Sequence, residues 1–418
     1  MNEKLKNTCM NEFDPSAISP EYALKKINKI IKPISKYEKI NLKDALDRIT
    51  AESIKSTINI PSFKNSAMDG YAVNLNDRNF KKQRILKEVG ISYAGTPYKK
   101  KLKRGETIRV MTGALIPTNA NAVIMQEMVK KSENLITFPE NIKLNQNVRK
   151  IGEDIKKSEI VIKKGNKLDY IDLGIISSIG RKNIKVVKKP KIGFLSTGDE
   201  LVSLGKKLKN GQLYDSNRYM LHGLLSKLPV IIKDFGVVKD NKKDLEKKLL
   251  LASKQCDLLI TTGGVSVGDA DYVRDILNNI GKINFWKISI KPGRPLAFGK
   301  IKNTIFFGLP GNPVSVIVTF QVFVISAIER LISQIHQDKF TIKAQTKSKL
   351  SKKKGRVEFQ RAIFNQQDGK FYVCSTGSQG SNLLKSLSQA NCYIKLDEDV
   401  DVINEGDIVE IIPFSTSI

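Results

Sequence analysis

Strands and helices alternate along residues 191–332, and this alternation limits the possible folds more than any other feature of the sequence. Short apolar segments of strand length are each followed by a segment with helical periodicity. This pattern is typical of an α/β layer on a mostly parallel sheet, which binds ligands at the carboxyl ends of its strands. The predicted strands are 192–195, 230–238, 257–262, 283–290 and 304–308, and the predicted helices are 216–228, 242–253, 272–279 and 314–332.

Residues 256–272 contain the most informative loop of this layer. An apolar run predicts a buried strand, and the loop that follows it contains Gly263, Gly264, Gly268, Asp269 and Asp271. Glycines let backbone N–H groups surround an anion, and the next helix would direct its positive end at the same place. The two carboxylates would repel a phosphate unless a metal ion lay between them. The glycine spacing alone fits a turn without function equally well.

A second strand–loop–helix unit follows at residues 303–332, and its loop is Leu309, Pro310, Gly311, Asn312 and Pro313. Asn312 is a favoured N-cap residue, and Pro313 suits the first helical position because its missing N–H would be unpaired there anyway. A capped core helix accounts for this pattern. Two helix N-termini in one layer nevertheless favour a shared anion site.

Several segments between about residue 18 and the end of the chain resemble the molybdopterin molybdenumtransferases and the C-terminal region of gephyrin. These segments are 61–72, 109–114, 149–154, 196–201, 263–268, 291–295 and 309–313. Each is a weak motif alone, and their shared order is specific. The resemblance implies an enzyme that inserts molybdenum from molybdate into adenylylated molybdopterin, with release of AMP.

The resemblance also implies the residues of the site. The catalytic carboxylates would be Asp69, Asp154, Glu200, Asp240 and Asp271, and Mg²⁺ would be held by Glu200, Asp269 and Asp271. The substrate would be bound by Thr197, Gly198, Asp215, Asn217, Gly263, Gly264, Ser266, Gly268, Lys291, Arg294, Pro310, Gly311, Asn312 and Pro313. Carboxylates suit Mg²⁺, and the cationic loop at 291–295 suits an oxyanion such as molybdate. Asp215 and Asp240 would also serve as helix caps, and Asp154 as a turn residue.

Four domains are implied for the chain. They are a discontinuous domain at 18–60 and 143–187, a β-rich module at 61–142, the α/β molybdopterin-binding domain at 188–333 and a small C-terminal β domain at 334–418. The resemblance implies a homodimer whose cleft lies between the α/β domain of one protomer and the β-rich module of the other. Asp69 has no evident role without the second protomer, so we predict a homodimer.

The charge and the cysteines limit the partners and the compartment. The net charge is +29, but lysines occur in nearly every segment, so we predict no specific nucleic-acid binding. The four cysteines lack paired spacing, and with only two histidines a zinc site is improbable. Residues 1–16 do not form a signal peptide, and polar residues interrupt the apolar stretch 314–328. We therefore predict a cytoplasmic protein without a membrane span.

Two other functions fit parts of the sequence. A molybdopterin adenylyltransferase shares the α/β domain but is small, and the length of this chain and its segment 66–71 argue against that activity. A non-catalytic scaffold similar to gephyrin would not need the carboxylates that this chain keeps. A molybdopterin adenylyltransferase and molybdoenzyme chaperones are candidate protein partners. The sequence does not distinguish molybdate from tungstate as the substrate.

Overall fold

The computed structural model describes residues 14–264, 272–335 and 340–414. The chain divides into two compact units. One consists of Met1–Glu38, Asp47–Ile49 and Val186–Ile418, and we call it the large unit. The other consists of Lys39–Leu46 and Thr50–Lys185, and we call it the small unit. The strands Tyr37–Asn41 and Asn183–Val187 each carry residues of both units.

A six-stranded sheet forms the centre of the large unit. In spatial order its strands are Ile231–Val238, Lys191–Thr197, Leu258–Thr262, Thr304–Leu309, Pro295–Ile301 and Gly281–Lys287. The first four strands are parallel, and the last two pair antiparallel. The predicted α/β layer is therefore confirmed, with a mixed edge.

The strand Pro295–Ile301 was missing from the sequence prediction. It forms a hairpin with Thr304–Leu309, and Lys302 in the connecting turn has a φ of 53°. A hairpin contains no helix between its strands, so the alternation of strands and helices gave no sign of it. The predicted strand 283–290 corresponds to Gly281–Lys287, which pairs antiparallel with this missed strand, whereas Ile290 belongs to a separate strand of another sheet.

Helices cover both faces of the central sheet. They are Pro20–Ile30, Ser216–Ser226, Lys242–Ser253, Tyr272–Ile280 and the long apolar helix Pro313–Leu331, which contains a π-helical turn at Phe320–Val324. Along Leu258–Thr262, Leu258 and Ile260 pack into one apolar cluster and Leu259 into the other. The strand is thus buried on both faces, as a central parallel strand must be.

The helix Pro313–Leu331 is long and apolar enough, by length and composition, to cross a membrane. However, 61% of its most apolar window is buried, and Val316, Phe320 and Phe323 are completely covered. It is the core helix of the large unit, as the sequence predicted.

The C-terminal part of the large unit is a second six-stranded sheet. In order its strands are Ile290–Lys291, Val357–Gln367, Lys370–Ser375, Ile342–Thr346, Ile408–Pro413 and Cys392–Leu396. Val357–Gln367 also pairs with Cys392–Leu396, which closes the sheet into a barrel. A short helix, Leu384–Gln389, follows the loop after Lys370–Ser375. The two-residue strands Leu350–Ser351 and Val402–Ile403 pair with each other in the same part of the chain. Another such pair, Leu201–Val202 with Leu213–Tyr214, lies earlier in the large unit.

The small unit contains a third six-stranded sheet, which matches the predicted β-rich module in character. Its strands in order are Ala122–Met125, Gly70–Val73, Glu106–Val110, Ile85–Ser92, Leu135–Thr137 and Lys130–Ser132. Two helices, Arg78–Gln83 and Tyr170–Ser178, and the strand pairs Asn65–Ser66 with Val148–Arg149 and Ile54–Lys55 with Ile160–Ile162 complete it. The sequence pattern of residues 42–49 predicts a short helix, but the structure has only the 3₁₀ turn Leu42–Asp44, and Asp47 with a φ of 61° prevents its extension.

Candidate functional site

A cavity of about 820 Å³ lies in the large unit beside the carboxyl ends of the central parallel strands. Its lining includes three segments that the sequence had singled out, namely Gly263, Gly264, Lys291, Arg294, Pro310, Gly311 and Asn312. The C-terminal barrel supplies a further wall that sequence reasoning missed, made of Lys353, Arg356, Gln379, Gly380 and Ser381. The glycine-rich segment at 377–380 was the available signal for that wall.

The turn after the strand Leu258–Thr262 forms one side of the site. Gly263 and Gly264 have φ angles of 83° and 64°, and a Cβ atom on Gly263 would lie 2.6 Å from the carbonyl oxygen of Thr197. Only glycine permits this approach, so the turn packs directly on Thr197. The rest of the predicted loop, with Ser266, Gly268, Asp269 and Asp271, lies outside the described residues.

Three acceptor atoms near the ends of these strands are buried without a hydrogen-bond partner in the described part of the chain. They are Oγ1 of Thr197, Oδ2 of Asp215 and Oδ1 of Asn217. Buried polar side-chain atoms are usually paired, so each of these oxygens marks a place where a donor is missing, although Thr197, Asp215 and Asn217 do not themselves line the cavity. All three belong to residues that the sequence had assigned to substrate binding.

The start of the helix Ser216–Ser226 holds two of these residues in place. Asp215 is its N-cap and accepts a hydrogen bond from the amide of Arg218 at 3.1 Å. Asn217 donates its side-chain amide to the carbonyl oxygen of Gly311 at 2.7 Å. The structural role proposed for Asp215 is therefore real, and its second oxygen remains unpaired.

The loop before the long apolar helix is joined to the C-terminal barrel. Asn312 and Pro313 occupy the N-cap and first helical positions as predicted, but the side chain of Asn312 does not cap the helix. It donates instead to the hydroxyl of Ser381 at 2.8 Å, and the amide of Val314 donates to the carbonyl of Ser381 at 3.1 Å. Ser381 therefore lies directly against the helix start.

The predicted cationic loop has carboxylate partners. Nζ of Lys291 lies 3.2 Å from Oε2 of Glu358, and Nη2 of Arg294 lies 2.9 Å from Oδ2 of Asp14. Lys353 is exposed at the cavity, whereas Arg356 is largely buried. Four cationic residues thus line the cavity, and Lys291 and Arg294 each lie at ion-pair distance from a carboxylate. The sequence had predicted the cations but not these ion pairs.

Arg361 holds the loop of the C-terminal barrel that forms one wall of the cavity. It is completely buried, and its guanidinium donates to the carbonyl oxygens of Ser378 and Gly380 at 3.0 and 3.2 Å. Its backbone N–H donates to Gln379 at 2.8 Å, and its carbonyl accepts from the Gln379 amide at 3.1 Å. The loop that leads to Ser381 is therefore folded around a single residue.

Carboxylates cluster after the strand Lys191–Thr197. The amide of Asp240 donates to Oδ1 of Asp199 at 3.2 Å, and Glu200 lies so close over Gly198 that a Cβ atom there would be 2.5 Å from Oε2. Burial, and then the negative charges of Asp199 and Glu200, raise the pKa of Asp240. Asp240 does not cap the following helix, because its N-cap is Asn241.

This cluster is chemically suited to a hard divalent cation. A cation beside the carboxylates would reduce the repulsion between their negative charges, which is one cause of the raised pKa. Carboxylate oxygen is also the ligand that Mg²⁺ prefers. Among the described residues no three His, Cys, Asp or Glu side chains already stand in metal-binding geometry. Glu200 and Asp240 could therefore supply only part of the ligand set of a metal ion.

The other two predicted catalytic carboxylates belong to the small unit. Asp69 accepts hydrogen bonds from the amide and hydroxyl of Thr112 at 2.7 and 2.8 Å, and these bonds lower its pKa, assisted by the charge of Arg109. Asp154 is exposed, and its amide donates to the carbonyl of Ile60 at 3.0 Å. Asp69 therefore has a role within its own protomer, contrary to the prediction from the sequence, because it holds the turn at Thr112.

Comparison with known families covers most of the chain. The model described as MoeA N-terminal region (domain I and II) matches residues 18–180. The model described as probable molybdopterin binding domain matches 193–330, and MoeA C-terminal region (domain IV) matches 343–414. The central α/β layer is thus a molybdopterin-binding domain of this family type.

Individual relatives agree with these models. The molybdopterin molybdenumtransferase of Haemophilus influenzae is 45% identical over 382 residues, which are 90% of this chain and 94% of the relative. The gephyrin of Dictyostelium discoideum is 31% identical over 90% of this chain and 59% of its own length. The crystal structure of the molybdopterin biosynthesis MoeA protein of Pyrococcus horikoshii superimposes with a TM-score of 0.83 at 31% identity, covering 95% of this chain and all of that one. The chain belongs to the MoeA family of molybdopterin molybdenumtransferases, which are transferases of molybdenum cofactor biosynthesis.

Proposed function

We propose that the chain inserts molybdenum from molybdate into adenylylated molybdopterin and releases AMP, and that the reaction takes place at the 820 Å³ cavity. The observation that carries this proposal is the composition of the cavity wall. A glycine turn, an uncapped helix start and four cationic residues face one space, and this combination suits phosphate and oxyanion groups. Positioning and charge neutralisation, rather than a covalent nucleophile, would supply the catalysis.

The two ends of the site are suited to different parts of the substrates. The unpaired oxygens of Thr197, Asp215 and Asn217 can accept hydrogen bonds from the pterin or the nucleotide. Lys291, Arg294, Arg356 and the hydroxyl of Ser381 can bind molybdate. Because both groups of residues flank the loop 310–312, molybdate would lie beside the bound molybdopterin.

We propose that Mg²⁺ is held by Glu200 and Asp240 together with Asp269 and Asp271. Burial raises the pKa of Asp240 most, and the negative charges of Asp199 and Glu200 raise it further; it is this second contribution that supports the assignment. When bound, Mg²⁺ would neutralise the pyrophosphate of the substrate. Asp69 and Asp154 remain proposed catalytic residues on the small unit. The four-domain division at 18–60 with 143–187, 61–142, 188–333 and 334–418 is likewise our proposal.

We propose a homodimer formed through the small unit. Its helix Tyr170–Ser178 exposes 77% of Tyr170 and 55% of Ile171. Beside it, Ile160, Ile171 and Ile175 line an open cavity of about 540 Å³. Exposed apolar side chains grouped in this way are typical of an interface. Sedimentation of an active, stable monomer would contradict the dimer.

We place the protein in the cytoplasm. The described cysteines Cys256, Cys374 and Cys392 are all free thiols, and Cys374 is exposed. An exposed free thiol is suited to a reducing compartment.

The deciding experiment measures AMP release from adenylylated molybdopterin, with and without molybdate, at several Mg²⁺ concentrations. We expect release that depends on both ions. Arg356→Met should abolish most of the molybdate-dependent release, because it removes a cavity cation. Arg84→Met is the matched control, since Arg84 donates to the carbonyl of Pro139 in the small unit and does not line the cavity. Equal release with and without molybdate would contradict the proposal.

A further inference from the structure

Asp14 lies four residues before the start of the family match at residue 18, and it is bound to the cavity wall. Its Oδ2 accepts a hydrogen bond from Nζ of Lys287 at 2.9 Å and lies 2.9 Å from Nη2 of Arg294. The side chains of Asp14 and Arg294 are each only 6% exposed. The two paired side chains are therefore largely shielded from solvent.

The segment around Asp14 is held firmly on the large unit. Oδ1 of Asp14 accepts from the amide and the hydroxyl of Ser16 at 2.9 and 2.5 Å. The amide of Ile18 donates to the carbonyl of Lys287, and the amide of Ser289 donates to the carbonyl of Ile18. These contacts place the carboxylate between two cations. Burial alone would raise the pKa of Asp14, but the bonds from Ser16 and Lys287 hold it well below its ordinary value, so Asp14 is ionised at neutral pH.

We propose that Asp14 is a positioning residue that sets the charge and orientation of Arg294 and thereby the oxyanion selectivity of the cavity. The inference rests on the proposed function, in which Arg294 belongs to the molybdate site. An oxyanion that approaches Arg294 must share its guanidinium with a carboxylate already bound there. Binding then depends on shape and on neutral donors such as the hydroxyl of Ser381 more than on total charge.

The ion pair between Asp14 and Arg294 would lower the affinity of the site for all oxyanions but improve its discrimination between them. Molybdate and sulfate are both tetrahedral dianions, so a site that attracts them mainly through charge separates them poorly. A carboxylate that offsets one cation weakens the attraction for every dianion and leaves the fit to decide. Asp14 would thus act against the abundant smaller oxyanions.

The test measures the dissociation constants of the full-length protein for molybdate and for sulfate, by equilibrium dialysis without the nucleotide substrate. Asp14→Asn removes the charge and nearly keeps the shape. We expect both constants to fall about 3- to 10-fold, and that for sulfate to fall more than that for molybdate, because one compensating charge is lost beside the site. The gain should shrink as ionic strength rises.

Two further variants complete the test. Lys287→Met removes the other cation bound to Asp14 and should have the opposite effect, raising both constants. Glu38→Gln is the matched control, since Glu38 pairs with the buried Arg48 at 2.6 Å and neither residue lines the cavity. It should change neither constant.

Unchanged or weaker oxyanion binding by Asp14→Asn at an unaltered melting temperature would overturn the inference, and so would equal effects of Asp14→Asn and Lys287→Met. Molybdate-dependent AMP release by the wild type is scored separately. A wild type that binds oxyanions but releases no AMP would remove the proposed function and still test Asp14.

Discussion

The side-chain amide of Asn217 donates to the carbonyl oxygen of Gly311 at 2.7 Å, and this bond joins two strand–loop–helix units that lie far apart in the sequence. Asn217 is the second residue of one helix, and Gly311 precedes another. The bond orients the unpaired Oδ1 of Asn217 and fixes the loop that carries Asn312. One residue therefore couples the two ends of the proposed site.

Replacement of Asn217 should reveal that coupling. Asn217→Ala removes both the bond to Gly311 and the free acceptor, and we expect kcat/KM for AMP release to fall about 10- to 100-fold. Asn217→Asp should lower it further, because its carboxylate would face a carbonyl oxygen and repel the anionic substrate. Steady-state kinetics with melting temperatures checks this. If both variants were as active as the wild type, Asn217 would not belong to the site.

Asp240 should give the protein a characteristic pH dependence. Its folded-state pKa is raised above the ordinary value of 3.8, so the folded state binds the proton more tightly than the unfolded state. Ionised Asp240 therefore destabilises the fold, and this cost appears as the pH rises from about 4 through the raised pKa. Asp240→Asn removes the cost. We expect its melting temperature to exceed that of the wild type by about 1–3 °C at pH 8 and by less at pH 5.

A magnesium titration should show whether Asp240 binds the metal ion or affects only the stability of the fold. If Asp240 helps to hold Mg²⁺, the ion should raise the melting temperature of the wild type more than that of Asp240→Asn. The two proteins can be compared across a magnesium titration at pH 8. An equal response would remove Asp240 from the metal site.

The sequence predicted the parts of the site that lie on local signals. Gly263, Pro310 and Asn312 stand directly after apolar strands, and position in an α/β layer follows from that order. The barrel wall around Ser381 could not be placed in this way, because its approach to Asn312 depends on how distant segments pack. The ion-pair partners of the cavity cations could not be predicted for the same reason. Nothing near Arg294 in the sequence indicates that its carboxylate is Asp14, 280 positions earlier.

Arg361 offers a test of that barrel wall. Arg361→Met would remove the donor to the carbonyls of Ser378 and Gly380, and each lost hydrogen bond should cost about 0.5–1.5 kcal/mol because water can reach these carbonyls. We expect a lower melting temperature and a KM for molybdate raised about 5-fold or more, since Ser381 would lose its position. Arg361→Lys should recover part of both. Arg84→Met, which breaks a comparable bond in the small unit, should lower the melting temperature alone. A shift in stability with an unchanged KM would limit Arg361 to a structural role.

Asp271 lies outside the described residues, and its prediction rests on the sequence. It follows the glycine loop immediately before the helix Tyr272–Ile280, where a carboxylate would complement the helix dipole and help to hold Mg²⁺. Asp271→Asn keeps the shape, so the loss of the dipole interaction should cost only about 0.3–1 kcal/mol of stability. Loss of a metal contact should instead lower turnover on the order of 100-fold or more. The melting temperature and the molybdate-dependent AMP release, measured on the same preparation, distinguish the two roles. Turnover close to that of the wild type throughout a magnesium titration would show that Asp271 only begins a helix, and the metal site would then have to rest on Glu200, Asp240 and Asp269.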